Sequence, residues 1–196
     1  MRRRFGFCVL LIFLSIIVAG VLGWRFLNRP GHGGLIFSIE HRLSRVLHFD
    51  RHRVDFATLP LRDAIKTVHG NGAHTVVVFA DPYCSGCRDL EAMLEHVDNV
   101  TIYTFLYPIV TPESRKLSVD IWCSGDPSAA WKAWMLHHAE PSPHLGCDGA
   151  VVDRNLATGR GNHVMVTPTV LFSDGTRIND VPGPNMLETA LAADRH

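Results

Sequence analysis

The stretch Thr75-Val-Val-Val-Phe-Ala80 constrains the fold more than any other part of this 196-residue chain. It is β-branched or apolar throughout, with no polar alternation, so both faces of the strand it forms must be covered. Such a strand sits in the middle of a sheet, with layers packed above and below. Asp81-Pro82-Tyr83 ends it. From about Cys84 the period changes, and Leu90, Met93, Leu94 and Val97 recur at spacings of three and four that place them on one face of a helix. A second strand is read at Val100 to Tyr107.

Residues 112–160 read as a helical insert, with helices at Glu113 to Trp122, Ser128 to His138 and Ala150 to Thr158. Ser124-Gly-Asp-Pro127 and the Pro141 to Gly146 loop separate them. Then Thr169 to Ser173 and Thr176 to Asp180 flank Asp174-Gly175, a two-residue hairpin signal, and a last helix is read at Asn185 to Ala193. The order strand, cysteine-bearing helix, strand, helical insert, hairpin, helix describes an α/β domain with helices packed on a mixed sheet. The domain is assigned to residues 55–196.

Ahead of it, Phe5 to Trp24 carries no charged side chain and is long enough, at about 1.5 Å per residue, to cross a hydrocarbon core of about 30 Å. Residues 1–27 are therefore read as one N-terminal transmembrane anchor. Arg2 to Arg4 hold its start in the cytoplasm and send the rest across, although Arg25 and Arg29 weaken that asymmetry. The alternative is a signal peptide with Cys8 to Ala19 as its apolar core. Either way the domain is exported. Residues 28–54 read as a linker, in which Ser38 to Leu47 suits either a short amphipathic helix or a solvated segment. Equal numbers of basic and acidic residues, 19 each, give no bulk charge for nucleic acid.

The chain has five cysteines. Cys8 lies in the apolar run. Cys84-Ser-Gly-Cys87 sits where the buried strand gives way to a helix, whose free N–H groups and positive dipole end stabilise a thiolate at Cys84. Cys84 is the expected nucleophile. Cys87, one turn later, is placed to resolve a mixed disulfide. The same spacing is half of a zinc site, but no second such pair and no nearby His pair supplies the remaining ligands. No metal site and no cofactor are read. A copper or zinc carrier, or a tethered chaperone, using the same thiols is the alternative. Cys123 and Cys147 bracket much of the insert. In an oxidising compartment they suit a structural disulfide, with a second redox pair as the other reading. Thr167-Pro168 is either a strand-edge proline or, beside the cysteine pair, a cis-proline whose backbone binds extended substrate chain.

Several further residues invite a role. Trp122, Trp131 and Trp134 read as core of the insert, and Tyr83 and Tyr107 as candidates for the rim of the site. Asp81 suits a turn former or a proton carrier for the buried thiol. His137, His138 and His144 lie at a helix end and in a loop, positions that suit solvent.

Taken in order, Leu59-Pro-Leu-Arg-Asp-Ala-Ile-Lys66, Gly70-Asn-Gly72, Val78-Phe-Ala-Asp-Pro-Tyr-Cys-Ser-Gly-Cys87, Pro112-Glu-Ser114, Ile121-Trp-Cys123, Cys147 and Val166-Thr-Pro168 carry a resemblance. From about Asp55 to Arg195 the chain resembles the thioredoxin-fold catalytic domain of the DsbC and DsbG disulfide isomerase family. The resemblance implies a thioredoxin-like fold in which Cys84 and Cys87 cycle between thiol and disulfide. It also implies that Pro168 is cis with Thr167 before it, and that Cys123 pairs with Cys147. It implies a disulfide isomerase or reductase acting on disulfide-containing exported proteins, kept reduced by a membrane electron donor of the DsbD type. The setting would be periplasmic, either tethered to the inner membrane by a single pass or soluble after signal cleavage. Residues 28–54 are too short for the dimerisation domain that usually precedes this catalytic domain, which leaves dimerisation open. Ser85-Gly86 stands where family pairs often carry an aromatic residue before the second cysteine.

Overall fold

The computed structural model describes Val54 and residues 56–193. The apolar run and most of the linker lie outside the described residues. No helix among the described residues is long and apolar enough to cross a membrane.

Two 3₁₀ turns, Phe56–Thr58 and Leu61–Asp63, lead into β1 (Ile65–Val68) and β2 (His74–Ala80). Helix α1 (Ser85–Leu94) and strand β3 (Val100–Leu106) follow. The insert comprises α2 (Ser114–Trp122), α3 (Pro127–His137) and α4 (Ala150–Gly161). β4 (Thr169–Phe172), β5 (Arg177–Ile178) and α5 (Pro184–Ala193) complete the domain. The sheet order is β1-β3-β2-β4-β5. β2 runs parallel to β3, and the other neighbouring pairs are antiparallel.

The unbroken apolar character of β2 has the expected cause. Val76, Val78 and Ala80 enter one core with Leu90, Leu94, Trp131 and Leu187. Val77 and Phe79 point the other way, into a second core with Phe105, Tyr107, Leu171, Val54, Leu59 and Ala64. Successive strand residues face opposite sides of a sheet, so a strand between two layers can afford no polar position. Each fully buried Val or Phe contributes about 1.5–3 kcal/mol. Trp131 and Trp134 are core residues, and Trp122 packs partly buried against the same cluster.

The structure departs from the sequence reading in three places. β1 is an edge strand that the reading lacks; its four residues, Ile65-Lys-Thr-Val68, pair antiparallel with Thr101 to Thr104. The hairpin loop has three residues, Ser173 to Gly175, closed by Phe172 N–H to Thr176 O at 2.9 Å and Gly175 N–H to Phe172 O at 2.9 Å. Gly175 takes φ +81°, the left-handed position that follows a type I turn in three-residue hairpins. The Asp174 carboxylate accepts from Thr176 N–H and its hydroxyl, at 2.7 and 2.8 Å, and pins that form. Tyr107, finally, is buried rather than at a rim, and its hydroxyl donates to Val164 O at 2.9 Å.

Candidate functional site

β2 delivers the chain to the site. The Asp81-Pro82-Tyr83 turn, closed by Cys84 N–H to Asp81 O at 3.1 Å, leaves Cys84 as the N-cap of α1 in extended backbone. Its sulfur occupies the place where a capping side chain normally accepts a hydrogen bond. Cys87 N–H donates to Cys84 Sγ at 3.2 Å, and the Cys84 thiol reaches the Thr167 carbonyl at 3.3 Å. The Thr167-Pro168 peptide is cis, and it brings the residue before the proline against the first cysteine. Both thiols are free and buried.

Their electrostatics differ. Cys84 is lowered to about 6, foremost by a hydrogen bond from Cys87, opposed by burial and assisted by the Thr167 side chain and the Cys87 N–H. Cys87 is raised, first by that same hydrogen bond and then by burial. One sulfur is thus a thiolate near neutral pH and its neighbour a protonated thiol that donates to it.

The other singled-out residues are placed as follows. Cys123 and Cys147 form a disulfide with Cα atoms 5.6 Å apart. It ties the C-terminal cap of α2 to the loop before α4 and lies outside the Cys84 turn. Asp81 is fully buried, and its carboxylate accepts from Tyr83 N–H, Ile109 N–H, Val110 N–H and the Ser114 hydroxyl. With its lone-pair sites taken by these four donors, it organises the turn. His137, His138 and His144 are exposed. Among the described residues no group of three or more His, Cys, Asp or Glu side chains converges as a metal site.

Two features escaped sequence reasoning. Trp134, on α3, donates from its indole to the Pro82 carbonyl at 2.7 Å, so the insert buttresses the turn that presents Cys84. Arg177, buried in β5, donates to Asn162 O at 3.0 Å and His163 O at 2.6 Å, at the entry of the loop that ends in Pro168. The only sequence signal for the second was an arginine beside Ile178 in a short, mostly polar strand. Around the site Tyr83, Val110, Met165 and Val166 expose apolar side chains.

The Thioredoxin-like domain family matches residues 61–192. A probable thiol:disulfide interchange protein DsbC of Bordetella pertussis is 44% identical over 138 residues, covering 70% of this chain and 49% of that protein. That of Bordetella avium is 42% identical over the same length. The chain spans about half the length of the curated relatives it matches. The crystal structure of a disulfide interchange protein from Neisseria gonorrhoeae is similar with a TM-score of 0.64 and 32% identity, covering 70% of this chain and 99% of that one. The catalytic domain of Proteus mirabilis ScsC shares the fold, with a TM-score of 0.56 at 17% identity, over 67% of this chain and 89% of that one. By the length of this match and the identity to a relative that it covers almost completely, the chain belongs to the thioredoxin-like domain family and, within it, to the disulfide interchange proteins.

Proposed function

We propose that the domain is a thiol-disulfide oxidoreductase of exported proteins, working as a disulfide isomerase or reductase through Cys84 and Cys87. The observation that carries this reading is the Cys84 sulfur at the helix N-cap, lowered to about 6 and facing the Thr167 carbonyl of a cis peptide at 3.3 Å. The Cys84 thiolate attacks one sulfur of a client disulfide, and the departing client thiolate takes a proton. Cys87 then loses its proton and attacks Cys84 Sγ, releasing the second client thiol and leaving a Cys84–Cys87 disulfide. In reduction, a membrane dithiol donor of the DsbD type returns the pair to thiols. In isomerisation, the freed client thiolate instead attacks the mixed disulfide or another client bond, with no net electron flow. Thr167 and Pro168 line the client backbone, and the Cys123–Cys147 disulfide is structural. The setting is the periplasm, with residues 1–27 as an inner-membrane anchor.

The test is refolding of scrambled ribonuclease by the reduced full-length chain in nanodiscs, beside its Cys84→Ser control. Recovery of ribonuclease activity that depends on Cys84 establishes isomerase work. Reduction of a simple disulfide without such recovery assigns a reductase. Failure in both, with stoichiometric zinc or copper on the purified chain, overturns the redox reading.

A further inference from the structure

We propose that Asp81 is a positioning residue of this site: its carboxylate clamps the loop after β3 against the Cys84 turn and so fixes the rim over which a client disulfide is presented. The inference rests on the redox reading above and adds a residue to its machinery.

The geometry is a convergence. Asp81 Oδ1 accepts from Tyr83 N–H at 2.8 Å and from the Ser114 hydroxyl at 2.9 Å. Oδ2 accepts from Ile109 N–H at 2.7 Å and Val110 N–H at 2.8 Å. The donors come from the turn before Cys84, the loop after β3 and the first residue of α2. Ser114 in turn accepts from Thr111 N–H at 3.1 Å, which closes the loop on itself. A carboxylate side chain offers about four acceptor sites, and four donors meet this one. Beyond Leu106 the ladder to β2 extends only to Tyr107 N–H on Ala80 O, at 2.7 Å. From Ile109 onward the Asp81 side chain takes over what a neighbouring strand did before.

The three backbone donors belong to residues with exposed apolar side chains: Tyr83 at 41%, Ile109 at 40% and Val110 at 49%. A single buried group therefore holds the main chain of three solvent-facing apolar residues beside the nucleophile. An apolar residue in its place would avoid desolvating a carboxylate but would leave three N–H groups without acceptors. Rigid presentation of such a rim reduces the ordering cost of binding a flexible chain. The Asp81 charge itself raises the Cys84 thiol, and is the smallest of the influences on it. Positioning and thiol activation are thus separable, because they predict opposite signs.

The test uses the reduced full-length wild type, Asp81→Asn and Ser114→Ala. Each is followed by thermal melting, by the pH profile of Cys84 alkylation with iodoacetamide, and by single-turnover reduction of a disulfide-bridged peptide across peptide concentration. Asp81→Asn is expected to raise the half-saturating peptide concentration by about tenfold or more while moving the Cys84 midpoint down. Ser114→Ala, which removes one donor and no charge, raises the half-saturating concentration by a smaller factor without lowering the midpoint. An unchanged half-saturating concentration in cooperatively melting Asp81→Asn overturns the proposal, as does an upward midpoint, which would make Asp81 a thiol activator. If Asp81→Asn does not melt cooperatively, Ser114→Ala decides: a rise supports the clamp and no change overturns it. Wild type that alkylates normally yet reduces no peptide brings down the redox reading itself, and the proposal with it.

Discussion

The hydrogen bond between Cys84 and Cys87 moves the two thiols in opposite directions, lowering the first to about 6 and raising the second. Alkylation of the reduced protein should therefore follow a midpoint near 6 at Cys84, with Cys87 unmodified at neutral pH. Cys87→Ala removes the largest cause and should move the Cys84 midpoint up. Iodoacetamide labelling mapped by mass spectrometry reads both, and a wild-type midpoint near that of a free thiol would refute the assignment.

The same shift has a stability consequence whose sign is set by linkage. The folded Cys84 binds its proton less tightly than the unfolded thiol at 9.0, so its contribution is fully present above that value and is lost as pH falls through about 6. Melting temperatures of reduced wild type and Cys84→Ser should diverge from pH 5 to pH 8.5, the wild type gaining. Parallel curves over that range would contradict it.

Gly159→Ala should destabilise despite the higher helix propensity of alanine. A Cβ there would lie 2.3 Å from the Tyr107 ring, which is held by its hydroxyl on Val164 O. Overpacking of about 1–3 kcal/mol outweighs a propensity gain of about 1 kcal/mol. Denaturant titration of the variant should show a lower midpoint at unchanged slope.

Arg154→Met tests the acid limb. The Arg154 guanidinium donates to both Asp63 oxygens, at 2.9 and 3.0 Å, joining α4 to the second 3₁₀ turn, and this holds the Asp63 carboxyl below its usual range. The contribution is present above the unfolded carboxylate value and is lost as pH falls through the folded one. Because Arg154 is half-exposed, solvent screens the pair, and a modest loss of stability is expected at pH 7. The gap to wild type should close towards pH 2. Urea titrations at the two pH values check this.

Replacing Cys123 and Cys147 together by serine should cost about 3.5 kcal/mol in the chain-entropy treatment of their loop and leave peptide-disulfide reduction by Cys84 intact. Loss of reduction in a variant that still melts cooperatively would make them a second redox pair.

What the sequence made legible was local. The strand-to-helix change at Cys84 and the two-sided burial of β2 both follow from consecutive residues. Tyr107 had a usable signal: it shares strand parity with Phe105, and both point into the second core. The register of the hairpin turned on one extra residue, which Asp174 selects by bonding forward to Thr176. β1 was hidden because its four residues find their partner about 35 positions downstream, and a short edge strand has little periodicity of its own. The donors to Asp81 lie up to 33 positions away, so its role exists only in the folded chain.

β2 is hydrogen-bonded to β3 along its whole length and to β4 over Val76 to Phe79, beneath two separate cores. Amide hydrogens paired on both sides in this way should exchange with solvent only through large-scale opening of the domain. Cys84 is joined to that segment by three residues. Whatever adjustment a client demands must therefore fall outside this strand, while the sulfur itself is mounted beside the segment that yields last.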